Sequence, residues 1–121
     1  MKKLADILVG LIALEHIWFL VLEMFLWTKP IGLETFGITL EFAQQAAALA
    51  ANQGLYNGFL AAGLIWGLLS KANGFAIKVF FLSCVAVAGV FGAFTVSITI
   101  LYGQGVPAMF ALGLLLLAPR E

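Results

Sequence analysis

The sequence predicts an all-α membrane protein, a bundle of four transmembrane helices, and two observations carry that prediction. Of its 121 residues, 64% are hydrophobic and 10% are charged, and the mean hydropathy is +1.12. Soluble domains carry about 25% charged residues. The second observation is that the apolar residues form four runs, separated by short stretches rich in Gly, Pro, Asn and Lys. Such runs are typical of helices that cross a hydrocarbon core about 30 Å thick.

The four runs form a single predicted membrane domain. The first ends where Lys29, Pro30 and Gly32 disfavour further helix. Thr39 is the expected N-cap of the second helix, whose roughly 31 residues would measure about 47 Å, so its start should protrude. The fourth run is short and must tilt, thin the bilayer or borrow residues from 102–105. The predicted spans are approximately 4–27, 45–70, 75–97 and 104–118, with a protruding helical extension at approximately 39–48.

The basic residues predict the orientation of these spans. Lys and Arg are enriched in the cytoplasmic loops of membrane proteins. If the N-terminus is cytoplasmic, only Lys29 falls outside. The other five basic residues are then inside, namely Lys2, Lys3, Lys71, Lys78 and Arg120. We therefore expect both termini to be cytoplasmic.

Three ionisable residues interrupt the first apolar run: Glu15, His16 and Glu23. Each costs roughly 2.5–3.5 kcal/mol to insert at the centre of a membrane helix, so their presence predicts function. His16 and Glu23 are seven residues apart and share a helix face, since they differ by only about 20° around the axis. They are about 10 Å apart along that axis, too far for a direct hydrogen bond. Another span, water or a ligand must lie between them.

The second run supplies polar groups at similar expected depth. Antiparallel packing of the first two spans would bring its amides and phenol towards Glu23 and His16, while the opposite half of the bundle is almost entirely apolar. This distribution predicts a polar pocket that is open to the outside and closed beneath. The expected catalytic groups are Glu15, His16 and Glu23, and the expected substrate-binding groups are Asn52, Gln53, Tyr56, Asn57, Trp27 and Gln104. A purely structural role for these groups, as hydrogen bonds between helices, stays open.

Composition also limits the partners. A net charge of zero provides no basic surface for nucleic acid. With one His and a distant Cys84, no metal site is predicted, and no motif for a cofactor is present. Membrane lipid and a small amphipathic ligand are the expected partners.

Small residues at four-residue spacing predict close helix contacts. These pairs are Gly54/Gly58, Gly63/Gly67 and Ala88/Gly92. These contacts can form within one chain or between two copies of it. The same pattern is therefore also consistent with a homo-oligomer through one of these faces.

Three motifs carry a resemblance to a known family. They are Ala-Leu-Glu-His at 13–16, Leu-Glu-Met-Phe at 22–25 with Trp27, and Ala-Asn-Gln-Gly-Leu-Tyr-Asn-Gly at 51–58. On these residues the chain resembles the DUF1304 family of small bacterial four-span membrane proteins, over nearly its full length. The resemblance implies a multi-pass protein of the bacterial cytoplasmic membrane and supplies no activity, because the family's function is unknown.

The leading functional hypothesis is binding of a small amphipathic or lipid-soluble molecule in the outward-opening pocket. Acid–base chemistry by a glutamate and His16, such as isomerisation or ring opening, is one use of that pocket, and whether the protein is an enzyme stays open. The first alternative is a proton-coupled transporter, dimeric, in which Glu15 alternately holds a proton and a substrate. The second is a structural or assembly subunit.

Overall fold

The regular structure of the protein is helical throughout the residues that the computed structural model describes, 1–118. Three helical runs are long and apolar enough to cross a membrane: Lys2–Met24, Gly74–Thr95 and Ile98–Leu117. The all-α, membrane-type class is therefore confirmed. The elements are α1 (Lys2–Met24), α2 (Pro30–Phe36), α3 (Leu40–Leu69), α4 (Gly74–Thr95), α5 (Ile98–Ile100), a π-helical segment (Leu101–Gly105) and α6 (Val106–Leu117).

Helix α3, which contains the expected second span, is absent from those three candidate spans. Its 30 residues measure about 45 Å, ample to cross a bilayer. Polar side chains in the middle of the helix lower its hydropathy. These are Asn52, Gln53, Tyr56 and Asn57. A four-span arrangement and the orientation of the termini therefore remain predictions, and Arg120, used to predict that orientation, lies outside the described residues.

The segment expected to be a loop after the first span contains helix α2. Pro30 stands at its first position, where proline is favoured because that N–H has no helical partner. Gly37 ends it in the left-handed conformation at φ 64°, which glycine adopts without steric cost. The N-cap prediction for α3 is confirmed, since Thr39 Oγ1 accepts a hydrogen bond of 3.1 Å from the Phe42 amide.

The last candidate span begins earlier than expected. Ser97 caps it through its hydroxyl, which accepts a hydrogen bond from the Thr99 amide. The π-helical segment then continues directly into α6, so the helical run is 20 residues long. Of the three solutions considered for a short fourth span, the structure shows the borrowing of preceding residues.

The chain forms two compact units. The first unit contains residues 1–13 and residues from 62 onward, and the second unit contains residues 14–61. In the first unit the fully buried side chains include Val9, Leu64, Leu82 and Val85. Helices α1 and α3 each contribute a segment to both units.

Glycines permit close helix contacts within the first unit. A Cβ on Gly63 would collide with the ring of Phe81, and one on Gly67 would lie 2.6 Å from Lys78 Cγ. Gly89 faces Gly105 of the π-helical segment, where a Cβ would lie 2.5 Å from the Gly105 Cα. The predicted use of small residues for close packing inside the chain is thus confirmed for Gly63 and Gly67, whereas Ala88 is exposed. Self-association through these faces remains a prediction.

Candidate functional site

A stripe of small residues on α3 sets the geometry of the second unit. Ala50, Gly54 and Ala61 are buried, and half-buried Asn57 falls on the same stripe at spacings of four, three and four residues. A Cβ on Gly54 would lie 2.7 Å from Met24 Cγ, 3.1 Å from the Cβ of Glu23 and 3.2 Å from the Leu20 carbonyl oxygen. Only glycine therefore lets α3 approach this part of α1 so closely.

That close approach brings Glu23 and Asn57 into contact. The Asn57 side-chain amide donates a 2.6 Å hydrogen bond to Glu23 Oε1. Glu23 is 7% exposed, so the bond supplies one of the contacts that a buried carboxyl group needs. Glu23 and Asn57 are both expected site residues, and the structure joins them directly.

His16 and Glu15 lie about two helical turns before Glu23 on α1. His16 is fully buried, and its ring meets the edge of Phe19 with the centroids 5.3 Å apart. Its Nδ1 lies 4.0 Å from Glu15 Oε1, beyond hydrogen-bond range. The Glu15 side chain is 32% exposed, and within residues 1–118 its Oε1 accepts no hydrogen bond.

Three of the expected binding residues, Asn52, Gln53 and Tyr56, point outward from α3. Tyr56 is 61% exposed, and its ring contacts Phe59 at a centroid distance of 5.8 Å. Asn52 and Gln53 are also exposed. They form an open polar surface on the helix that holds Asn57, with Gln53 about 40° from Asn57 around the axis.

Trp27 and Gln104 have other surroundings. The Trp27 indole N–H donates a 2.9 Å hydrogen bond to the Ala43 carbonyl, and its ring packs on Phe36 at 5.0 Å. Trp27 therefore ties the segment after α1 to both α2 and the beginning of α3. Gln104 belongs to the π-helical segment of the first unit.

The described part of the chain contains no cluster of metal-ligating side chains. Within residues 1–118 no group of three or more His, Cys, Asp or Glu side chains lies close enough to hold an ion. Cys84 is half-buried and free of any disulfide.

The sequence interpretation missed an ion pair in the first unit. Lys78 Nζ lies 2.6 Å from Asp6 Oδ1, and the Lys78 side chain is 7% exposed. The signal was present, because a lysine in the second turn of an apolar helix must find an anion or extend to the surface. It was instead interpreted only as an orientation signal. The interpretation also missed that Asn57 lies on the stripe of small residues that packs against α1, whereas the amides of Asn52 and Gln53 do not.

The fold and these residues together define a small helical protein of membrane type, in which a buried glutamate and a half-buried asparagine are hydrogen-bonded between two helices. The chain belongs to the family described as "Protein of unknown function (DUF1304)", which matches residues 10–116. The uncharacterized protein YpaA of Lactococcus lactis subsp. lactis (strain IL1403) is 29% identical over 114 residues, covering 93% of this chain and 96% of that protein. No solved structure matches the chain.

Proposed function

We propose that the second unit binds a small amphipathic molecule at a polar site formed by Glu23 and Asn57 with the neighbouring exposed groups of α3. Those groups are Asn52, Gln53 and Tyr56. The observation that carries the proposal is the 2.6 Å hydrogen bond from Asn57 to a carboxyl group that is 7% exposed. This hydrogen bond fixes Glu23 and Asn57 at one edge of the polar site. The other residues of the site are exposed on α3.

The exposed groups of this polar site need hydrogen-bond partners if α3 lies in the membrane. In hydrocarbon an amide without a hydrogen-bond partner costs several kcal/mol, roughly 4–8 on a water-to-cyclohexane scale. Asn52 and Gln53 carry two donors and one acceptor group each, and Tyr56 adds a hydroxyl. A bound molecule with a polar head satisfies these groups, and its apolar part lies against exposed Leu55 and Phe59.

This proposal includes a topology. We place α3 in the membrane as a further span, which gives four spans with both termini in the cytoplasm and with lipid around the bundle. The start of α3, near residues 40–48, then protrudes on the outer side together with α2. The membrane is the bacterial cytoplasmic membrane, in keeping with the bacterial source of YpaA.

Any chemistry at the polar site would use two separated groups. Glu23 and His16 are two helical turns apart on α1, so they reach different atoms of one bound molecule. Proton donation by one and abstraction by the other fits isomerisation or ring opening. Asn57 positions Glu23 and is not itself an acid or a base.

Native mass spectrometry of the protein extracted with its own lipids tests the binding proposal. We expect the wild-type protein to retain a small molecule other than phospholipid, and Glu23→Gln and Asn57→Leu to lose it. Glu34→Gln is the matched control, because Glu34 is an exposed acid on α2 of the same unit. Equal retention by all four proteins would overturn the polar site.

Glu15 supports a second candidate, proton-coupled transport. Its side chain is 32% exposed, but its Oε1 is buried and accepts no hydrogen bond from residues 1–118. A proton or a polar group of a substrate would supply the missing partner. Substrate flux in proteoliposomes that stops when the proton gradient collapses, and that Glu15→Gln abolishes, would support transport. Turnover in detergent without any gradient would support an enzyme instead.

A folded protein after joint substitution of His16 and Glu23 would count against a purely structural role.

A further inference from the structure

The first unit contains a basic cavity that the polar site does not involve. It measures about 370 Å³, within the range of about 300–1,000 Å³ typical of small-ligand sites. Three of its lining residues are lysines: Lys2, Lys71 and Lys78. We refer to it as the lysine cavity.

The lysines that line the cavity outnumber the carboxylate paired with them. Asp6 pairs with Lys78 through the 2.6 Å contact. Among residues 1–118, the three lining lysines and this carboxylate together carry a net charge of +2. Lys2 and Lys71 are exposed, so their ammonium groups can reach a ligand without losing an existing buried bond.

The beginning of a helix lies at the same cavity. Helix α4, 22 residues long, begins at Gly74, and Gly74 and Ala76 line the cavity. Asn73 stands at the N-cap, but its side chain makes no capping hydrogen bond. The Ser70 hydroxyl accepts a 3.1 Å hydrogen bond from the Asn73 amide and also lines the cavity. The N-terminal end of a helix carries partial positive charge, which adds to that of the lysines.

The position of the lysine cavity limits the class of ligand that it can bind. Lys2 begins α1, residues 70–73 join α3 to α4, and Ala118 follows the end of α6. Three candidate spans therefore have an end at this cavity, which places it at the level where lipid headgroups lie. Leu115 and Ala118 provide an apolar wall on one side.

We infer that the lysine cavity binds a phosphate group, with the headgroup of an anionic lipid as the source that its position favours. Ammonium groups and helix N-terminal amides are the donors that phosphate takes in proteins. The inference is independent of the polar site, because each lining residue belongs to the first unit.

The test compares lipid binding by a cavity variant and a matched control. The protein in nonionic detergent is titrated with phosphatidylglycerol and with phosphatidylcholine, and bound lipid is counted by native mass spectrometry. Each lysine near an anionic surface contributes about 1 kcal/mol, about five-fold in affinity. The joint variant Lys2→Gln with Lys71→Gln should therefore bind phosphatidylglycerol about 25-fold more weakly. Lys29→Gln, which removes an exposed lysine of the second unit, should bind it normally.

Two further arms separate the sources of phosphate and guard against a folding defect. Lys2→Arg with Lys71→Arg keeps the charge and should keep binding. If inorganic phosphate displaces phosphatidylglycerol from the wild-type protein at millimolar concentration, free phosphate is the ligand; if it does not, the lipid headgroup is. Equal phosphatidylglycerol binding by the glutamine variant and the wild type would overturn the inference.

Discussion

A single glycine decides whether the Glu23–Asn57 pair exists. A methyl group on Gly54 would lie 2.7 Å from Met24 Cγ and 3.2 Å from the Leu20 carbonyl oxygen, and backbone cannot move aside as easily as a side chain. The hydrogen bond between Asn57 and Glu23 forms one turn away, at 2.6 Å. The close packing at Gly54 and the chemistry of the polar site are therefore coupled.

Gly54→Ala should lower the free energy of unfolding by about 1–3 kcal/mol, the usual cost of overpacking. Gly113→Ala is the matched control, because a Cβ there meets nothing within 4 Å and alanine has the higher helix propensity. Denaturation of both variants in mixed micelles, followed by circular dichroism, measures the difference. Equal stability of the two variants would show that α1 and α3 are not held as close as the structure has them.

The ion pair of the first unit gives a second prediction for single residues. Asp6→Asn should destabilise the protein because it leaves the Lys78 ammonium group buried without an anion. Loss of a fully buried partner costs about 3–5 kcal/mol, and exposure of one-third of Asp6 reduces the expected loss to about 1–3 kcal/mol.

Adding Lys78→Met to Asp6→Asn should restore most of that stability, because an apolar side chain of similar size needs no partner. The same micellar denaturation compares wild type, single and double variants. A double variant that is less stable than Asp6→Asn would contradict a pairing role for these two residues.

Among the helical elements, the junction between α1 and α3 depends on one indole. Trp27 donates a 2.9 Å hydrogen bond to the Ala43 carbonyl and packs on Phe36, so α2 and the beginning of α3 are fixed through it. The structure gives Trp27 this positioning role, whereas contact with a ligand at Trp27 remains a prediction.

Trp27→Phe keeps an aromatic ring against Phe36 and removes the hydrogen bond, which is worth about 1 kcal/mol. Amide hydrogen exchange in the first turns of α3 should then become about five-fold faster, since local opening costs that much less. Trp66→Phe is the control, because Trp66 is 59% exposed and lies near the other end of α3. Unchanged exchange near Ala43 in Trp27→Phe would show that the indole does not anchor α3.

The class of the whole molecule follows from its composition, and its site follows only in part. The apolar runs predict α1 and α4 to within a few residues, because membrane helices are specified by length and hydropathy. The last span is predicted well only at its end, since it begins at Ile98 and not near residue 104. Helix α2 is not predicted, since its seven residues, of which the first is Pro30, carry little periodic signal. Asn57 could be separated from Asn52 only through the spacing of Ala50, Gly54 and Ala61. The position of Lys78 in an apolar helix indicates that it needs an anion or the surface, but Asp6 is 72 residues away, so no local pattern identifies it as the partner.

The four-span topology can be tested with two exposed positions. In a Cys84→Ser background, Thr35→Cys and Asn73→Cys lie before and after α3. If α3 crosses the membrane, an impermeant maleimide added to whole cells should label Thr35→Cys and not Asn73→Cys, and inverted vesicles should give the opposite result. Labelling of both positions from the same side would show that α3 does not cross.

A density map of the protein isolated in nanodiscs with its native lipids would show whether α3 holds a small molecule. The polar surface of α3 should hold a non-protein molecule within hydrogen-bonding distance of Asn52 or Gln53 and in contact with the Glu23–Asn57 pair. A map in which only acyl chains or a second copy of the protein cover that surface would contradict a small-molecule site.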